Sequence, residues 1–120
     1  MKKELRVRKN EDFSKIIAKK NSLSNQCFII YKSQNTIDHG RVGLSVSKKL
    51  GNAVVRNKIK RQVRMMVQEV FNFNQSYDYI IIVRKNFLKY DYHKNLSELT
   101  YLYSKIEKRT VGKNGIRQQN

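Results

Sequence analysis

The chain has 120 residues, 39% of them hydrophobic, with 26 Lys and Arg against 9 Asp and Glu, a formal net charge of +17. That length suits one domain with one modest core, and the hydrophobic share excludes a purely charged, unfolded tail. Charge of this size points to a polyanionic partner, because crowded like charges repel until phosphates neutralise them and release counterions.

A single cysteine, Cys27, excludes an internal disulfide and is expected in the core. No Cys/His cluster suggests zinc. The first nine residues lack the apolar run of a signal peptide, and no segment approaches the ~20 apolar residues that span a bilayer. The expected compartment is the cytoplasm, with no membrane partner.

In chain order, Asn10-Glu11-Asp12 resembles a helix start, with Asn10 as cap and two acids for the positive end of the dipole. Phe13, Ile16 and Ile17 follow at helical spacing, and this helix is expected to end near Lys20-Asn21. Residues 27–32 form a β-rich run with Phe28 and Ile30 on one face and Ile29 and Tyr31 on the other. Residues 41–47 alternate more cleanly, and the polar stretch between suggests an antiparallel hairpin of the two strands. Gly51-Asn52 turns the chain into a long helix over residues 53–71. Residues 77–83 contain the run Ile80-Ile81-Ile82-Val83, a strand covered on both faces in a sheet interior. Asp91 can cap a last helix whose buried stripe is Tyr92, Leu96, Leu99, Tyr103 and Ile106. The order α-β-β-α-β-α predicts an α+β fold, a two-layer α/β sandwich in a single RNA-binding domain. Roughly residues 1–8 and 109–120 are expected to be mobile basic tails.

On a helical wheel, Val55, Ile59, Val63, Met66 and Val70 form an apolar stripe for the sheet. Arg56, Lys60 and Arg64 recur every fourth residue beside it, and Asn57 and Arg61 widen this face toward solvent. Lys48 and Lys49 extend the patch through the preceding turn, and Asn52 opens it. A solvated face is the ordinary explanation of such a stripe. Here no acid lies between Lys48 and Gln68, so i,i+4 repulsion is uncompensated within the helix. An anion docked there would relieve it, and Arg can grip phosphate with two hydrogen bonds.

The run Arg41-Val42-Gly43-Leu44-Ser45-Val46-Ser47-Lys48-Lys49, followed by Gly51-Asn52-Ala53-Val54-Val55-Arg56-Asn57-Lys58-Ile59-Lys60-Arg61, strongly resembles the protein subunit of bacterial ribonuclease P. The resemblance extends to Asn10-Glu11-Asp12-Phe13 and Tyr77-Asp78-Tyr79-Ile80-Ile81-Ile82, nearly the whole chain apart from its tails. The family's Arg-Asn-Arg signature stands here as Arg56-Asn57-Lys58, which keeps the charge and loses a bidentate contact.

The resemblance implies an unusual left-handed crossover around the basic helix, against the usual right-handed preference. It implies a subunit of an endoribonuclease that removes the 5′ leader from precursor tRNA, with a catalytic RNA performing the hydrolysis using magnesium ions. Two surfaces are carried over. Arg56, Asn57, Lys58, Lys60, Arg61 and Arg64 would face the catalytic RNA. A cleft between the first helix and the open sheet face would hold the precursor tRNA leader, at Phe13, Ile17, Phe28 or Ile30, and Tyr31. Aromatic stacking there tolerates any leader sequence. Phe13 and Phe28 are equally compatible with the core, whereas Tyr31, with its polar tip, suits a wet groove.

No protein active site is legible. His39 and His93 stand in no acid–base pattern, and the acids are too scattered for a two-metal nuclease. The protein alone is therefore expected to be inactive, with no cofactor bound by a protein motif. A ribosomal-type RNA-binding protein is the alternative that size and charge permit. DNA binding is not expected, for want of a recognition-helix pattern.

Overall fold

The computed structural model describes residues 1–114, with side chains through Arg109. Helices α1 (Asn10–Ala18), α2 (Ala53–Val70) and α3 (Tyr92–Asn114) accompany strands β1 (Ser22–Ser24), β2 (Phe28–Gln34), β3 (Arg41–Ser45) and β4 (Tyr77–Val83). The α+β class and the order of the expected elements hold, with β1 as an added short strand.

The sheet order is β1-β2-β4-β3. β2 pairs antiparallel with β1 and β4, while β3 and β4 run parallel. The expected β2–β3 hairpin is therefore incorrect, because β4 lies between the two strands. Ile81 is the register partner of Ile30 on one side and Leu44 on the other. A strand as uniformly apolar as β4 is most stable with neighbours at both edges and cover on both faces. β3, α2 and β4 thus form a parallel crossover unit with the basic helix as its connection.

One sheet face carries Phe28, Ile30, Val42, Tyr79, Ile81 and Val83 into the main core. α2 adds Ile59, Val63, Met66 and Val67 to it, and α3 adds Leu99, Leu102, Tyr103 and Ile106. Each such aliphatic side chain stabilises the fold by about 1.5–3 kcal/mol when removed from water. Val55, expected on the buried stripe of α2, remains 36% exposed in the first turn. The Asp91 carboxylate caps α3 by accepting from the Lys94 N–H at 2.9 Å. On the opposite face, α1 sets Ile16 against Ile80 and Val7, with Phe13, Tyr31 and Ile82 packed beside them.

A buried ion pair pins α3 to the sheet. Lys32, only 3% exposed, meets Glu107, whose carboxylate also accepts from the Tyr79 hydroxyl at 2.8 Å and the Tyr103 hydroxyl at 3.2 Å.

Three boundaries differ from expectation. α1 begins at Asn10 with Lys9 as its cap residue, so Asn10 does not cap, and Glu11 and Asp12 serve the dipole alone. The helix stops at Ala18, after which Lys20 takes the left-handed φ of 59°. Within the expected N-terminal tail, Arg6 bridges Val42 at the edge of β3, the Val7 N–H donates to the Val42 carbonyl at 3.1 Å, and Val7 is buried. α3 continues to Asn114, past the expected start of the second tail, while positions 115–120 lie outside the described residues. No described helix is long and apolar enough to cross a membrane.

Candidate nucleic-acid interface

The start of α2 is built by short-range hydrogen bonds. Ser47 Oγ accepts from the Lys49 N–H at 3.1 Å, which orders a 3-10 turn over Lys48–Leu50, and buried Leu50 anchors it. Gly51 follows with φ 147°, a conformation that favours glycine, and an added Cβ would stand 2.8 Å from Val55. Asn52 Oδ1 then caps the helix by accepting from the Val55 N–H at 3.0 Å. The first turn of α2 holds no acid. The positive end of the helix dipole thus faces exposed Lys48 and Lys49, an arrangement that favours an incoming anion.

Along the helix, Asn57, Lys58 and Arg61 are exposed, while Arg56, Lys60 and Arg64 are half-buried. Arg56 Nε donates to the Gly51 carbonyl at 3.2 Å, so its stem braces the turn and its far edge remains for a partner. Lys60 and Arg64 line a cavity of about 270 Å³ together with Arg6, Arg8, Phe13 and Gly43. Burial, and then the charge of Arg6, push the Arg64 pKa below its usual value. Both causes disfavour the cation, and a phosphate docked in the cavity would oppose them by favouring the charged form.

The second surface lies across the β3 edge. Phe13 of α1 rests on Gly43, where an added Cβ would come 2.6 Å from Phe13 Cζ and 2.9 Å from Ile80 Cδ1. Tyr31 is half-buried on the same sheet face, and Ile17 is 37% exposed on α1. Phe13, Ile17 and Tyr31 therefore share one side of the sheet. Phe28 and Ile30 do not: both are fully buried on the other face, in the main core, and cannot line a cleft there. The strand's other parity, Ile29 and Tyr31, faces the α1 side.

Sequence reasoning missed Arg6 and Arg8. They line the cavity beside Lys60 and also a larger hollow of about 470 Å³ that includes Lys9, Arg41 and Asp12. The alternation Arg6-Val7-Arg8 was the available signal, with an apolar residue turned inward between two outward cations.

Glu4 lines the larger hollow, and the other acids nearest these surfaces are engaged. Asp78 accepts from Arg41 and from Asn35, and Asp12 lies 3.8 Å from Arg41. Glu107 holds Lys32 and two tyrosines, and Glu98 pairs with Lys94. Among the described residues, no three His, Cys, Asp or Glu side chains gather as a metal site would require.

Comparison with known proteins accords with this architecture. The family described as Ribonuclease P matches residues 1–107. The ribonuclease P protein component of Mesoplasma florum is 44% identical over 104 residues, covering 85% of this chain and 94% of the relative. That of Streptococcus gordonii is 46% identical over 102 residues, covering 85% and 86%. The structure of the Staphylococcus aureus RNase P protein superposes with a TM-score of 0.75 at 37% identity, covering 83% of this chain and 93% of that one. The Thermotoga maritima RNase P protein gives 0.70 at 30% identity, covering 81% and 93%. The chain therefore belongs to the ribonuclease P protein family, the protein component of an endoribonuclease that matures the 5′ ends of tRNA.

Proposed function

We propose that the cationic face of α2 binds the catalytic RNA of ribonuclease P, and that the surface around Phe13 and Tyr31 holds the 5′ leader of precursor tRNA. The observation that carries this reading is the shared cavity: Lys60 and Arg64 from the basic helix meet Phe13 and Gly43 in one hollow. A polynucleotide leaving the Phe13 surface passes directly onto cations that a second RNA also engages. Only the precursor carries a leader, so contacts at Phe13, Ile17 and Tyr31 favour substrate over product. Hydrogen bonds and ion pairs to phosphate position the RNA, and stacking on the aromatic rings accepts any base.

In this reading magnesium, the metal of the RNA-catalysed hydrolysis, is held by the RNA. What supports this is that, among the described residues, no three His, Cys, Asp or Glu side chains gather as a protein metal site would require. The metal belongs to the RNA, and the protein contributes binding and orientation. The working compartment is the cytoplasm, with precursor tRNA as substrate and the catalytic RNA as permanent partner.

Incubation of precursor tRNA with magnesium, the protein and its cognate RNA, each omitted in turn, tests the reading. Protein without RNA should yield no 5′-matured tRNA, and protein added to the RNA at low magnesium should raise cleavage. Maturation by protein alone would overturn the proposal, as would an RNA activity indifferent to the protein.

A further inference from the structure

Beside the basic face of α2 lies an apolar groove that phosphate binding does not explain. It is a hollow of about 330 Å³ between the start of α2 and a 3-10 turn at Lys85–Lys89. Val54, Val55, Leu88 and Tyr90 line it, with Lys58 and Gln62 on its α2 wall. Val54 is 77% exposed and Leu88 50% exposed. An exposed β-branched residue in a helix is locally disfavoured, so Val54 is not explained by helix propensity.

We propose that this groove seats one unpaired nucleobase of the catalytic RNA. The inference rests on the reading that α2 faces that RNA, and it adds a non-ionic contact to the charged one. The groove is apolar inside and cationic at its rim. Lys58 stands on the wall, and exposed Lys85 and Lys89 flank Leu88 on the turn. The turn bearing Lys48 and Lys49 packs against the same segment. The neighbouring acid, Asp91, caps α3 through the Lys94 N–H, and Lys58, Lys85 and Lys89 outweigh its charge at the rim. A nucleobase matches this pattern, since it offers an apolar face bracketed by two phosphates. Tyr90 presents a ring held by a hydrogen bond from its hydroxyl to Gln26 Oε1 at 3.0 Å. The Gln62 amide carries both a donor and an acceptor for a base edge. A second copy of the chain fits poorly, because a stable protein interface covers about 800 Å² per partner, and this patch offers three exposed apolar side chains ringed by like charge.

Leu88→Ser and Val54→Ser remove the apolar contact at exposed positions, and thermal melting checks that each variant still folds. Binding to the catalytic RNA is measured across a salt series, with dimethyl sulfate probing of unpaired bases in each complex. Each substitution should weaken binding about tenfold, the order expected for losing one buried aliphatic contact. The salt slope should stay unchanged, and one base protected in the parent complex should become reactive. Arg61→Ala serves as the ionic control and should reduce the slope. If both serine variants bind and protect as the parent does while Arg61→Ala weakens binding, the groove proposal is overturned and the α2 reading stands. If Arg61→Ala and Arg64→Ala are silent as well, the α2 reading fails and the groove falls with it. Salt-independent self-association lost in Leu88→Ser, with RNA affinity intact, would assign the groove to a second copy instead.

Discussion

Arg41 and Asp78 face each other across the parallel β3–β4 ladder and close a two-pronged ion pair, with Nε 2.9 Å from Oδ1 and Nη2 2.7 Å from Oδ2. Asn35 Nδ2 donates to the same Oδ1 at 2.8 Å, which ties the β2–β3 connection to the pair. Asp78 is 5% exposed, and its hydrogen bonds push the Arg41 pKa above its usual value. The cluster fixes the outer strand beneath Phe13.

Removing one partner of a buried, hydrogen-bonded pair costs more than the pair contributes, because the other charge is stranded. Asp78→Ala should therefore lower unfolding stability by about 3 kcal/mol, toward the lower end for buried pairs since Arg41 stays partly solvated. Asp78→Asn should lose less, since it keeps an acceptor for Asn35. Urea unfolding of the three proteins checks the order, and equal midpoints for parent and Asp78→Ala would remove the cluster's structural role.

The buried end of α3 should make the protein sensitive to alkali. Burial first, then neighbouring Tyr103 and Glu107, raise the Tyr79 pKa, and burial raises that of Tyr103. In the unfolded chain both phenols ionise near pH 10, while the native state holds its protons to higher pH. Above about pH 10 the unfolded state therefore binds fewer protons, and stability falls as pH rises, with a limiting slope of about 1.4 kcal/mol per pH unit for a phenol that stays protonated in the native state. Below that pH these groups add no pH dependence. Melting temperature measured from pH 8 to 11 should drop along its last unit, and Tyr79→Phe or Tyr103→Phe should flatten the drop. An unchanged alkaline limb in both variants would refute the assignment.

Much of this architecture was legible in the sequence where one signal dominated. The α2 boundaries follow from Gly51, the Asn52 cap and an uninterrupted 3.6-residue stripe. β4 was legible as an interior strand from its apolar run. The pairing was not, because alternation in β2 and β3 states which faces are apolar and not which strand is the neighbour. An interior β4 needs partners at both edges, and that requirement excludes the hairpin. The leader surface was legible only in part, because alternation in β2 separates two faces without saying which one α1 covers. Lys32 shares parity with Phe28 and Ile30, and in the fold Glu107, 75 residues downstream, neutralises it inside the core, a partner that no local pattern announces.

Gly43 gives a test specific to the leader surface. A Cβ at this position would meet the Phe13 ring at 2.6 Å and the Ile80 side chain at 2.9 Å, so Gly43→Ala must displace Phe13 from β3. If Phe13 stacks on the leader, the variant should bind leader-bearing precursor about tenfold more weakly, comparable to the loss of one stacked base. Affinity for mature tRNA in the holoenzyme should be unchanged. Tyr31→Ala should show the same selectivity without crowding the helix. Equal losses for precursor and mature tRNA would move the effect from leader contact to general misfolding.

Arg64 separates binding from folding. In the free protein it is half-buried in a cavity shared with Lys60, and burial first, then the charge of Arg6, depress its pKa, so its charge opposes the fold. Relief of a like-charge contact is worth a few tenths of a kcal/mol. Arg64→Gln should therefore melt at the same temperature as the parent or about 2 °C higher. RNA affinity should fall in the same variant, with the slope of log K against log salt reduced by about 0.9, one phosphate's share. Arg61→Gln, exposed and away from that cavity, should lose the same slope without the gain in melting temperature. A fall of several degrees for Arg64→Gln would make its role structural. An unchanged slope would take this end of α2 out of the RNA interface.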